Sequence, residues 1–236
     1  KTWNLETSLG GLTVPFYSIY FIDEQNGFII GGQGTVLTTT NGGVLWTKLA
    51  TDQSADFHGI CFVDGREGYI VGDRGVILRT TNGGSIWKEQ YGGISNRLLS
   101  VAFADKNNGT IVGEQGTILK TTNGGNTWNN ISSSFISGVL SRVVFSGSSG
   151  IIVSDNGTIL YTNDSGQKWT LAPSTTNQSL FGACAVSPQL FYAVGAQGTI
   201  IFSNNGTTSW TVQATNIRSS LLDVDFTSMS AGIVVG

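Results

Sequence analysis

His58 is the one histidine of the 236-residue chain, and Cys61 follows it by three positions. Acyl transfer needs a nucleophile held beside a base, yet no Gly-x-Ser-x-Gly elbow accompanies this histidine. His58 and Cys61 would be too few ligands for zinc, and neither a C-x-x-C pair nor an EF-hand calcium loop occurs. Glycosidic cleavage asks for two carboxylates at a set separation. Asp223 and Asp225, in "RSSLLDVDFTS" with Arg218 just upstream, are the one pair that stands where other parts of the chain carry small residues. They read either as a buried acidic site or as a solvated pair. The expectation is therefore no catalytic residue, no metal and no cofactor, with His58 a binding candidate at a strand edge.

Composition narrows the classes further. Charged residues make up 11% of the chain, against about 25% in ordinary globular domains. A net charge of -3 gives no basic footprint for nucleic acid or an anionic membrane. No apolar run is long enough to span a bilayer. Two cysteines cannot build a disulfide framework. Thirty-three glycines with 10% aromatics suit an all-β protein with many turns.

The elements that must position these residues follow from an internal repeat. Tryptophans fall at 3, 46, 87, 128, 169 and 210, and after a first interval of 43 every step is 41. Gly31, Gly72, Gly113, Ser154, Gly195 and Gly236 keep the same step. In the third unit "LLSVAFA" alternates as a strand, "DKNNG" turns, and "TIVG" is a second strand ending at Gly113-Glu-Gln-Gly116. "TILKTT" is a third strand, and Asn-Gly-Gly reverses the chain into "TWNNI". Four short strands in about 40 residues predict an all-β propeller of four-stranded antiparallel blades. Helical periodicity of an armadillo kind is absent. Residues 1–236 read as a single propeller domain covering about six blades, cut within a blade at both ends and taken from a possibly longer array. The two cysteines, three repeats apart, fall in one column of the innermost strand, so free, buried thiols on opposite sides of a channel are expected.

The motif Ser/Thr-x-Asp/Asn-x-Gly-x-x-Trp, as in "TTNGGVLW", "TTNGGSIW", "TTNGGNTW" and "TNDSGQKW", resembles the Asp-box or bacterial neuraminidase repeat of sialidases and sortilin-type receptors. With the preceding "GTILKTTNGG" pattern the chain is similar to the photosystem II assembly and stability factor family, whose repeat many secreted bacterial proteins share. The box residues are Asn41 and Trp46, Asn82 and Trp87, Asn123 and Trp128, Asp164 and Trp169, and Asn205 and Trp210. The Asn or Asp side chain is expected to accept turn amides, and the indole to fill a groove between strands or blades. Burying about 200 Å² of indole at about 25 cal/mol per Å² gives about 5 kcal/mol gross. In "SNNGTTSW" Thr207 stands where the box wants glycine, which predicts a strained or reshaped turn. A sialidase resemblance would also imply three converging arginines and a tyrosine nucleophile. Here six arginines scatter over the blades, with Arg66 and Arg79 expected away from the centre.

Function is therefore expected on the face opposite the Asp-box turns, where variable loops gather. Its candidates are Asp73, Arg74, Arg97, Glu114, Asp155 and Arg218, together with His58, Asp223 and Asp225. The leading reading is a non-enzymatic scaffold binding a protein or glycan partner, located extracellularly, at the cell surface or in the periplasm. The resemblance implies an assembly-factor role as the alternative, and a sialidase-type glycoside hydrolase as a second.

Overall fold

A computed structural model describes residues 11–133, 136–173, 175–206 and 209–236. Blade 1 comprises β1 (Phe16–Phe21), β2 (Gly27–Gly31), β3 (Val36–Thr39) and β4 (Thr47–Leu49). Blade 2 holds β5 (Phe57–Phe62), β6 (Gly68–Gly72), β7 (Val76–Thr80) and β8 (Lys88–Tyr91). Blade 3 holds β9 (Leu98–Phe103), β10 (Gly109–Gly113), β11 (Ile118–Thr121) and β12 (Asn129–Asn130). Blade 4 holds β13 (Leu140–Ser146), β14 (Ser149–Ser154), β15 (Ile159–Thr162) and β16 (Thr170–Leu171). Blade 5 holds β17 (Leu180–Ala185), β18 (Phe191–Gly195), β19 (Ile200–Ser203) and β20 (Thr211–Gln213). A last, two-stranded sheet pairs β21 (Asp223–Ser228) with β22 (Ala231–Val235). Each sheet is an antiparallel meander in chain order, which is the architecture of a β-propeller.

The burial of each strand follows its place. Second strands such as "GYIVG" and "GTIVG" are buried along their whole length, as continuous apolar runs covered on both faces must be. Outer strands are short and exposed, two residues in β12 and β16, which leaves little free edge. The inner strands pack in sequence, β1 on β5, β5 on β9, β9 on β13, β13 on β17 and β17 on β21. No comparable packing joins β21 to β1, so among the described residues the ring of sheets is not closed. Ile19 on β1 and Ile233 on β22 remain 58% and 59% exposed.

The Asp-box is a double clamp. Asn41, Asn82, Asn123 and Asp164 accept the amides of Leu45, Ile86, Thr127 and Lys168 at 2.9–3.0 Å. The threonine two residues earlier, in the motif but given no role from sequence, accepts the amide of the box's second glycine, as Thr80 Oγ1 does from Gly84 at 3.0 Å. In the fifth box Ser209 N still donates to Asn205 at 3.2 Å, while Thr207 and the first-unit Trp3 lie outside the described residues. The indoles do fall between blades. Phe28 of blade 1 stacks on Phe62 of blade 2 at 5.1 Å, and Trp87 meets both edge-on. Tyr69, Phe103 and Trp128 repeat the arrangement one blade on. At Gly84 and Gly125 a Cβ would lie 2.3 Å from the Phe28 ring and 2.5 Å from the Tyr69 hydroxyl, so the box glycine is also required by the neighbouring blade.

Candidate functional site

The meander sends turns two ways. Strand-one and Asp-box turns share one face, and the turns after each second strand share the other with the connections between blades. In four of those turns a non-glycine residue takes a left-handed conformation, Gln33, Arg74, Gln115 and Gln197 at φ 55–58°. The glycine after each is fixed by a close approach as well as by positive φ. A Cβ on Gly75 would sit 2.1 Å from the Ile94 carbonyl, and one on Gly116 2.2 Å from that of Ile136. The incoming connection is thus clamped onto the turn, and the residue before the glycine is pushed outward into solvent.

The second residue of each of the first five inner strands, and Leu222 just before β21, reach the mouth of the channel on this face. Tyr17, His58, Leu99, Ser141, Phe181 and Leu222 surround an opening of about 470 Å³ together with Arg142, Asp155 and Asp223. On one side the rim is polar and internally bonded. His58 Nε2 donates to Asp73 Oδ1 at 2.8 Å, and Arg97 Nε donates to the same oxygen at 2.7 Å. Arg97 Nη1 also pairs with Glu114 Oε1 at 3.2 Å. Tyr17 packs 4.8 Å from the His58 ring and donates to Asp56 Oδ2 at 3.4 Å. Partial desolvation works against the Asp73 carboxylate, but the bonds from His58 and Arg97 prevail and hold its pKa below the usual value. The Asp73 bond in turn raises that of Arg97. Elsewhere on the rim Phe181 and Leu222 stand with an Arg142–Asp223 contact of 3.7 Å.

Below the mouth lies a cavity of about 550 Å³ lined by all six inner strands. Gly59 and Gly182 let adjacent inner strands approach closely, since a Cβ on Gly182 would lie 2.7 Å from Asp223 Cα. Deeper, Asp225 Oδ1 accepts from the Cys184 thiol at 3.7 Å. Both cysteines are free and share one column, paired with Tyr69 and Tyr192, but they are partly exposed to the cavity and not fully buried as expected. Desolvation pushes the Cys61 thiol up to about 12, and desolvation with the Asp225 charge pushes Cys184 up to about 11. Neither is a thiolate at neutral pH, so neither is an activated nucleophile.

The structure thus gathers His58, Asp73, Arg97 and Glu114 into one network and places Asp155 and Asp223 at the same mouth. Asp225 sits further down the channel. Arg74 lies on the outer rim, bonded to Ser54 Oγ at 3.1 Å. Arg218 stands apart, exposed in the connection before β21. Arg66 and Arg79 are on the Asp-box side or in a third strand, as expected. Sequence reasoning missed Tyr17, Asp56, Phe181 and Arg142. The first and third of these share the 41-residue column of His58, a signal that was available. Among the described residues no three metal-ligating side chains gather.

A sequence profile described as "Photosynthesis system II assembly factor YCF48" matches residues 2–91 and 85–180, well over half of the chain. No curated protein matches it in sequence. The solved structure of YCF48 bound to D1 peptide is similar, with TM-score 0.63 and 20% identity over 96% of this chain and 91% of that one. YCF48 from Cyanidioschyzon merolae gives TM-score 0.66 at 15% identity, covering 97% and 94%. A GH74 enzyme of Niastella koreensis gives TM-score 0.71 at 17% identity, covering 84% of this chain but 38% of the enzyme. At these identities the structural likenesses speak for the fold alone.

Proposed function

This chain belongs to the photosynthesis system II assembly factor YCF48 family, and on that premise we propose that it is a non-catalytic assembly factor gripping an extended segment of a protein partner across the channel mouth. The observation that carries the reading is the mixed rim. Phe181 and Leu222 offer apolar side chains at the same opening as Tyr17 and His58, whose bonded group extends to Asp73 and Arg97. An extended peptide presents side chains alternately to two sides with unpaired amide groups between them, which such a rim can receive. The family bears on the partner class, since one similar structure is YCF48 bound to D1 peptide. A protein partner is therefore favoured over a glycan.

The charges of the site also favour holding over chemistry. Asp223 is engaged by Arg142 and Asp225 by Cys184, so the two acids do not form an opposed pair with a free proton donor. The test is fluorescence anisotropy with a labelled D1 peptide. Phe181→Ala and Tyr17→Ala are each expected to weaken binding about tenfold, as central contacts of a small interface do. Lys168→Ala, on the Asp-box face, is expected to leave it unchanged. Rim variants that bind as the wild type does, or equal weakening by Lys168→Ala, would remove the channel mouth as the site.

A further inference from the structure

One register position of the third strand recurs through the blades as Thr38, Arg79, Lys120, Tyr161 and Phe202, 41 residues apart. In two cases it carries a cation toward the Asp-box turn of the following blade. Arg79 bonds Asn126 Oδ1 at 2.6 Å, and Lys120 Nζ donates to the Ser165 carbonyl at 2.5 Å. The Lys120 side chain is buried there, which lowers its pKa, and the charges of Asp105 and Asp164 oppose that shift. In the fourth and fifth blades an aromatic ring takes the position. In the first blade it is a threonine, and a cavity of about 520 Å³ opens between blades 1 and 2.

The walls of that cavity keep the acid and the turn carbonyl of the Lys120 site, while Asn82 stands where that site has Asp164. Asp23 is the equivalent of Asp105, two 41-residue steps earlier, and Gly83 that of Ser165. Bonds from the Asn26 side chain, and then from the amides of Gln25 and Asn26, lower the Asp23 pKa, so it is a carboxylate at neutral pH. Tyr69 donates to the Gly124 carbonyl at 2.7 Å, but Phe28 has no hydroxyl to offer the equivalent carbonyl of Gly83. Gly83 thus receives neither a phenol nor an ammonium from blade 1. None of the lining residues is a cation, while Ile22, Phe28 and Leu49 give one wall that suits an alkyl stem.

We propose that this cavity binds a primary alkylammonium supplied from outside the chain, its nitrogen among the Asp23 carboxylate, the Thr38 hydroxyl and the Gly83 carbonyl, and its stem along Ile22, Phe28 and Leu49. The site lies on the Asp-box face and does not rest on the peptide reading of the channel mouth. A lysine side chain of a partner and a free polyamine share this chemistry.

The experiment is a titration of the isotopically labelled chain, following amide shifts of Asn26, Gly65, Gly83, Gly84 and Ser85. The probes are n-butylammonium, its neutral isostere n-butanol, spermidine, and the capped peptide acetyl-Gly-Lys-Gly-amide. Saturable shifts confined to these residues are expected with butylammonium and not with butanol. Thr38→Lys, which supplies the ammonium from within, and Thr38→Tyr, which fills the space as blade 4 does, are each expected to abolish them. Tighter binding of the lysyl peptide than of spermidine identifies a partner's side chain as the source, and the reverse order a polyamine. Absence of saturable shifts, equal shifts with butanol, or shifts that persist in both folded Thr38 variants would overturn the proposal.

Discussion

Arg97, in the connection entering blade 3, donates at 2.7 Å to the carboxylate oxygen of Asp73, in a turn of blade 2, and His58 holds that same oxygen at 2.8 Å. The network ties two blades together on the face where binding is proposed. Its stability contribution is nevertheless small, because Arg97 is about half exposed and such pairs are worth about 1 kcal/mol or less. A double-mutant cycle of Arg97→Ala and Asp73→Asn in urea should return a coupling energy within that bound. The pH dependence has a definite sign. The folded pKa of Asp73 lies below the ordinary value of about 3.9, so its contribution is complete above about pH 4 and is lost as pH falls through the folded value. Asp73→Asn should flatten the acid limb of the stability curve in that window.

Gly75→Ala and Gly116→Ala should each destabilise the protein by about 2–4 kcal/mol in urea titrations, because positive φ and a carbonyl about 2.1 Å from the new Cβ act together. Arg74→Gly is the contrast. It relieves a left-handed non-glycine residue but loosens the unfolded chain, and the two effects should nearly cancel, to within about 1 kcal/mol.

Tyr69→Phe removes the hydroxyl that reaches the Gly124 carbonyl across the blade 2–3 boundary. A loss of about 1–2 kcal/mol is expected, since the ring is fully buried and the carbonyl loses its partner. Trp128→Ala should cost more, about 3–5 kcal/mol, because it empties an aromatic cluster of Tyr69 and Phe103. Thermal denaturation of both variants checks the order.

Thiol labelling by a disulfide reagent should be slow at neutral pH and climb steeply in alkali. Cys184, raised to about 11, should react ahead of Cys61, raised to about 12. Asp225→Asn removes an anion that disfavours the Cys184 thiolate and should accelerate that site while leaving Cys61 unchanged. Equal rates at both cysteines in the wild type would show that the channel is more hydrated than its lining implies.

Particular residues show what could be read in advance. The period of 41 located the strand columns apart from the inner strand of the fourth unit, including the column that holds Cys61 and Cys184, because a blade is a local meander whose turns need fixed residues at fixed places. The loop-face candidates Asp73, Arg97 and Glu114 were legible as residents of one face. That they meet was not, since the contact crosses blade boundaries whose spacing is set by packing. Arg142 was hidden by a compensated slip. The fourth unit starts its inner strand one residue late, pairing Leu140 with Ser154, and so displaces Arg142 from the column it structurally occupies. Thr38 escaped notice because its meaning is the side chain it lacks, visible only beside Arg79 and Lys120.

On the Asp-box side, four side-chain contacts that join the blades run one way. Phe28, Tyr69, Arg79 and Lys120 each reach from their own unit into the one that follows. A unit of this kind carries a plug at one boundary and a socket at the other. Duplication of 41 codons would therefore insert a blade that mates on both sides without any further substitution, and loss of 41 codons would rejoin a plug to a compatible socket. The length of such an array can drift over generations while every boundary stays sound. At the blade 1–2 boundary Phe28 still makes its half of the joint, and only the place of the cation, where Thr38 stands, is left unfilled.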